Sequence, residues 1–130
     1  MEPATCRWMS QATPPFTAPD LANLGFGRVF TEHMVTSRWT VADGWKSLQV
    51  EKRRPLELDP ATSVLHYGQS IFEGLKAYRQ PDGSVGVFRP EAHAVRFQRS
   101  ARRLALPDLS VAAFVTSIDM RVEVDSARVL

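Results

Sequence analysis

The stretch Ile71-Phe-Glu-Gly-Leu-Lys-Ala-Tyr-Arg-Gln-Pro-Asp-Gly-Ser-Val-Gly-Val-Phe-Arg-Pro-Glu91 decides how the rest of the chain is read. Leu75, Ala77 and Tyr78 lead into Gln80-Pro81-Asp82-Gly83-Ser84, and Val85, Val87 and Phe88 resume the apolar pattern beyond it. Proline, aspartate and glycine in that order reverse the chain, so the segment from Ile71 to Phe88 reads as a β-hairpin. Pro90 then opens a helix at a position whose N–H is not needed, and Glu91 suits the positive end of the helix dipole.

That helix is predicted over Glu91 to Ala105. At ~100° per residue, Ala94, Phe97, Ala101, Leu104 and Ala105 share one arc, and Arg96, Arg99, Arg102 and Arg103 share the opposite one. Pro107 is expected to stop it. Ser110 is placed to cap a second helix, in which Val111, Phe114, Val115, Ile118 and Val122 form a stripe, with Asp119 and Glu123 on the far side.

Working upstream, Gly25 and Gly27 flank Phe26, and a strand is expected from His33 to Val41, with Trp39 and Val41 facing one way and Arg38 and Thr40 the other. Asp43-Gly44 signals a turn, and Leu48-Gln49-Val50 a second strand. Pro55 and Asp59-Pro60 punctuate a connection that carries Leu56 and Leu58. No internal repeat is visible. Strands followed by two amphipathic helices give an α+β class with antiparallel pairing, rather than a doubly wound sheet. Residues 1–20, with Pro3, Pro14, Pro15 and Pro19, read as a loose leader, and 21–130 as the folded domain.

A length of 130 residues suits one domain. Hydrophobic residues make up 44% and charged residues 23%, the balance of an ordinary globular chain. A net charge of +2, from 16 basic and 14 acidic residues, is too small to announce a nucleic-acid or membrane partner. The longest strongly apolar run, Val111 to Ile118, is far short of the ~20 residues that cross a bilayer. A lone cysteine, Cys6, forms no internal disulfide, and a cytoplasmic location is expected.

Two groups of residues suggest chemistry. The arginine face offers planar, permanently charged forks suited to phosphate; on pattern alone it suits a solvated helix surface better, and a third reading, RNA binding, is opposed by the near-neutral net charge. His66-Tyr67-Gly68-Gln69-Ser70-Ile71-Phe72-Glu73-Gly74 packs two glycines, an aromatic pair and several polar groups into nine residues. That composition fits a backbone bending beside a ligand, with Tyr67 and Phe72 as apolar walls, or else two core aromatics with glycines in turns. His33, His66 and His93 lack the spacing of a helical zinc motif, so no metal site is expected. No nucleotide-binding glycine loop or nucleophile elbow occurs.

Three runs carry a resemblance. Phe26-Gly-Arg-Val-Phe-Thr-Glu-His-Met-Val35, Leu65-His-Tyr-Gly-Gln-Ser-Ile-Phe-Glu-Gly-Leu-Lys-Ala-Tyr-Arg79, and Phe88-Arg-Pro-Glu91 with Arg96-Phe-Gln-Arg-Ser-Ala-Arg-Arg-Leu104 closely resemble the branched-chain amino acid aminotransferases. These are fold-type IV, pyridoxal phosphate-dependent enzymes, and the likeness covers about Leu21 to Asp125. It implies the family's small N-terminal domain, and transfer of the amino group of leucine, isoleucine or valine to 2-oxoglutarate. It implies that Arg96 binds the cofactor phosphate and that Phe26, Tyr67 and Phe72 line the pocket for the branched side chain. It also implies a homodimer. Lys46, Lys52 and Lys76 do not match the Schiff-base lysine, which in the family lies in a larger C-terminal domain beyond the position of Leu130. A truncated chain, inactive alone, is therefore the expectation, with no catalytic residue of its own. His93 stands where relatives commonly have asparagine. D-amino acid aminotransferases and aminodeoxychorismate lyases share the fold, and a non-catalytic module retaining the scaffold is the reading from another class.

Overall fold

In the computed structural model of the chain, residues 30–129 are described. The expected leader and Phe26 lie outside them. The described residues are mixed α+β, with three two-stranded antiparallel ladders, three α-helices and a single 3-10 turn at Ser126–Arg128 among them.

The hairpin that anchors the reading forms where Pro81-Asp82-Gly83 requires it. Strand β5 (Ala77–Arg79) pairs with β6 (Val85–Val87), Tyr78 opposite Gly86. Gly83 sits at φ +84, and Asp82 closes the turn by accepting from the Ser84 N–H at 2.9 Å and its hydroxyl at 2.6 Å. A left-handed residue at that corner is where glycine is favoured.

The expected strand from His33 to Val41 is broken in two. Strand β1 (His33–Thr36) pairs with β4 (Gln49–Lys52), and β2 (Trp39–Thr40) with β3 (Gly44–Trp45). Ser37 and Arg38 fall between the two ladders, where the Ser37 hydroxyl donates to the Lys46 carbonyl at 2.6 Å and the Lys46 N–H to the Arg38 carbonyl at 2.7 Å. Alternation alone did not reveal that interruption. The Asp43-Gly44 signal holds, with Gly44 at φ +69.

A short helix, α1 (Ser63–Tyr67), which was not expected, runs into the His66-to-Gly74 stretch, and Gly68 closes it at φ +60 in the left-handed conformation typical of a helix end. Helix α2 spans Pro90–Arg103, with Pro90 and Glu91 in its first turn. It stops four residues before Pro107, so proline is not the terminator. The Ala105 N–H donates to the Arg102 carbonyl at 3.2 Å and the Leu106 N–H to the Ala101 carbonyl at 2.9 Å, with Ala105 at φ +53. This is a Schellman closure with alanine in the position that usually holds glycine.

Helix α3 (Val111–Val124) starts as expected, the Ser110 hydroxyl accepting from the Ala113 N–H at 3.1 Å. The two helices pack through Ala94 and Ala101 of α2 and Phe114 and Val122 of α3, all buried. Phe97 and Phe114 meet at 5.3 Å between ring centroids, tilted by 45°. Leu104 and Ala105, expected on the buried arc, are exposed because the closure carries them off the helix. Helix α3 is tied to β1 by Asp125, which is only 7% exposed and accepts from the His33 N–H at 3.3 Å, from His33 Nδ1 at 3.1 Å and from the Arg121 guanidinium. Burial pushes the Asp125 carboxyl up, but the His33 hydrogen bonds and the Arg121 charge outweigh it and hold the group below the usual range.

Candidate functional site

Residues 69–73 run back along α2 in the direction opposite to the helix. The Gln69 side-chain amide donates to the Leu104 carbonyl at the helix end at 2.8 Å, and four residues later Glu73 reaches His93 and Arg96 in the helix body. Inward and outward residues alternate here: Ile71, Glu73, Leu75 and Ala77 are partly buried, whereas Phe72, Gly74, Lys76 and Tyr78 are exposed. A period of two places Glu73 in an otherwise apolar row. A carboxylate in such a row needs cationic or donor partners.

Those partners converge on it. Arg96 Nε donates to Glu73 Oε2 at 2.7 Å, and Arg96 Nη2 donates to Glu73 Oε1. His93 Nδ1 lies 2.8 Å from the same Oε1. An ionised carboxylate only accepts, so this contact puts the proton on His93 Nδ1. The Glu73 side chain is 4% exposed, while that of Arg96 is 55% exposed. The bidentate Arg96 fork is the main cause that holds the Glu73 carboxyl down, to about 2 from an ordinary 4.5, against the upward push of its own burial. The carboxylate raises the Arg96 guanidinium reciprocally.

Arg96 also borders an open cleft of about 150 Å³ with Phe88, Arg89, Ala92 and His93. Residues 89, 92, 93 and 96 share one face at helical spacing. Arg89 precedes the first turn of α2 at φ +48, a left-handed conformation that is uncommon for a long side chain. Arg89 and Arg96 both line the cleft, and arginine is the residue type suited to a dianion such as a phosphate monoester. Of the other members of the arginine face, Arg102 is engaged by Asp108 at 2.6 Å, and Arg99 and Arg103 are exposed.

Tyr67, at the end of α1, and Phe72 are 87% and 80% exposed, and neither lines the Arg96 cleft. Phe72 is nevertheless the chain neighbour of Glu73. A Cβ added at Gly74 would come within 3.3 Å of the Phe72 ring, so this glycine gives the ring room rather than a special backbone angle. Glu73 and His93 were not singled out as site residues from sequence; the signal for Glu73 was its place in the Ile71, Leu75, Ala77 row. The three histidines are separately engaged, His33 by Asp125, His66 by the Pro60 carbonyl at 2.6 Å and His93 by Glu73. Among the described residues, no three metal-ligating side chains gather, and no helix is long and apolar enough to cross a membrane.

Comparison with known proteins adds the decisive observation. The chain is 59% identical over 105 residues to a probable branched-chain-amino-acid aminotransferase of Streptomyces coelicolor. It is 55% identical over 105 residues to the branched-chain-amino-acid aminotransferase of Mycolicibacterium smegmatis. By sequence, the chain is homologous to the branched-chain-amino-acid aminotransferases. A Bacillus subtilis relative, branched-chain-amino-acid transaminase 1, is 41% identical over 107 residues. These alignments take in 81%, 81% and 82% of this chain but only 29%, 28% and 30% of the respective relatives. The chain thus spans under a third of the length of the curated aminotransferases it matches. No protein-family model matches it.

Proposed function

We propose that residues 21–130 are the small N-terminal domain of a fold-type IV branched-chain amino acid aminotransferase, with 1–20 as a leader. The observation that carries this reading is 59% identity to an aminotransferase over 81% of the chain. The exposed side chains of Leu65, Tyr67, Phe72 and Phe88 support it, since large apolar side chains left at the surface suit a domain that packs against further polypeptide.

In this reading Arg96 holds the phosphate of pyridoxal 5′-phosphate. The fit rests on its half-exposed guanidinium, buttressed by a buried carboxylate and sharing a cleft with Arg89. Phe26, Tyr67 and Phe72 wall the pocket for the side chain of leucine, isoleucine or valine. Apolar walls reject charged side chains through desolvation and separate the three branched ones only weakly. When bound, the cofactor supplies an electron sink that allows the amino group to pass from the amino acid to 2-oxoglutarate. The contribution of these residues is to bind and orient: one guanidinium on the phosphate, aromatic faces beside the substrate, and exclusion of water by those faces. Lys46, Lys52 and Lys76 do not match the Schiff-base lysine, so in this reading proton transfer is assigned to none of them. The working enzyme is a cytoplasmic homodimer.

The test is a chimera in which the matching segment of the S. coelicolor relative is exchanged for that of this chain. It should convert L-leucine and 2-oxoglutarate to glutamate and leave D-alanine untouched. A folded chimera that prefers D-alanine, or that turns over neither amino acid, overturns the reading.

A further inference from the structure

We propose that Glu73 is a positioning residue for phosphate recognition, clamping Arg96 by one edge so that its other edge faces the cleft beside Arg89. The inference rests on the reading of Arg96 as the phosphate ligand and extends it to a residue that the resemblance leaves without a role.

Geometry carries it. A guanidinium has five N–H donors in a rigid plane. Glu73 takes the Nε donor and one from Nη2, and Nη2 also lies 3.2 Å from His93 Nδ1, which leaves the Nη1 donors to face the cleft. Because both Glu73 oxygens are engaged, turning the guanidinium about its long stem or sliding it along the carboxylate would break hydrogen bonds. The clamp is itself fixed: the Glu73 side chain is 4% exposed, His93 Nδ1 holds Oε1 at 2.8 Å, and Gln69 anchors the same segment to Leu104. An arginine whose rotamer is already set loses less freedom on binding, and that saving appears as affinity. A negative charge beside a phosphate site has the opposite effect, so the sign of a Glu73 substitution discriminates between clamp and competitor.

The probe is pyridoxine 5′-phosphate, which has no aldehyde and so cannot condense with Lys46, Lys52 or Lys76, compared with unphosphorylated pyridoxine. Both are titrated into the 130-residue chain by NMR. The unaltered chain should bind the phosphorylated probe at least tenfold more tightly than pyridoxine. Arg96→Ala should erase that preference, and Glu73→Gln, which keeps the size but presents an amide to the guanidinium, should reduce it about fivefold or more without changing pyridoxine binding. A general structural defect would weaken both probes together. If the unaltered chain shows no preference, or Arg96→Ala keeps it, Arg96 is not the phosphate ligand and the clamp falls with it. If Arg96→Ala erases the preference while Glu73→Gln leaves or strengthens it, or weakens both probes alike, the clamp alone is overturned. Should Glu73→Gln fail to fold, the Arg96 Nε–H signal of the unaltered chain decides. Slow exchange with solvent, before and after the phosphorylated probe is added, supports the clamp; fast exchange overturns it.

Discussion

Glu73 holds Arg96 through two parallel donors, with Nε 2.7 Å from Oε2 and Nη2 on Oε1, and the carboxylate is buried while the guanidinium reaches the surface. The pair joins the segment that carries Tyr67 and Phe72 to the helix that carries Arg96. Its consequences extend to stability as well as to binding.

Stability should fall in acid in a window set by this carboxylate. Its folded value of about 2 lies below its ordinary 4.5, so the unfolded chain takes up the proton first. The contribution is complete above pH ~4.5 and is lost as pH falls toward 2. Urea midpoints followed from pH 6 to pH 3 should decline less steeply in Glu73→Gln than in the unaltered chain. Parallel slopes would show that the pair does not contribute.

The α2–α3 contact predicts a large truncation effect. Phe114 is 9% exposed and stacks obliquely on Phe97. Phe114→Ala should cost about 3–5 kcal/mol by the usual cavity penalty, measured by chemical denaturation. A loss below 1 kcal/mol would mean that the two helices are not the core.

The α2 terminus predicts a gain. Ala105 occupies a left-handed position at φ +53, where a Cβ costs roughly 1 kcal/mol. Ala105→Gly should therefore raise stability by a few tenths to about 1 kcal/mol, although the same change in a helix interior would lower it. A lower melting temperature in this variant would argue against the Schellman closure.

Ser110 caps α3 through its hydroxyl at 3.1 Å from the Ala113 N–H. Ser110→Ala should cost ~1 kcal/mol, and Ser110→Asp should largely restore the loss. Equal stability of all three would remove the cap.

Local signals were legible where chemistry acts over a few residues. Pro81-Asp82-Gly83 foretold the hairpin, Pro90 and Glu91 the start of α2, and Ser110 the start of α3. Features that depend on distant partners were not. The break at Ser37 and Arg38 is made by hydrogen bonds to Lys46, and the early end of α2 by a backbone closure that Gln69 reinforces from 35 residues away. Helix α1 is five residues long, too short for periodicity to announce. At the site, Arg96 stood among four arginines on one face, and periodicity could not choose between them. The structure gives Arg96 a buried carboxylate partner in Glu73 and Arg102 a more exposed one in Asp108, while Arg99 and Arg103 stay exposed.

The most direct test of the assignment is a cofactor titration of the Streptomyces chimera carrying this chain's segment. With Arg96 intact, pyridoxal 5′-phosphate should bind; Arg96→Ala should raise its Kd at least tenfold, and Arg99→Ala, on the same exposed face, should leave it unchanged. Equal Kd values for the unaltered, Arg96→Ala and Arg99→Ala chimeras would contradict the account.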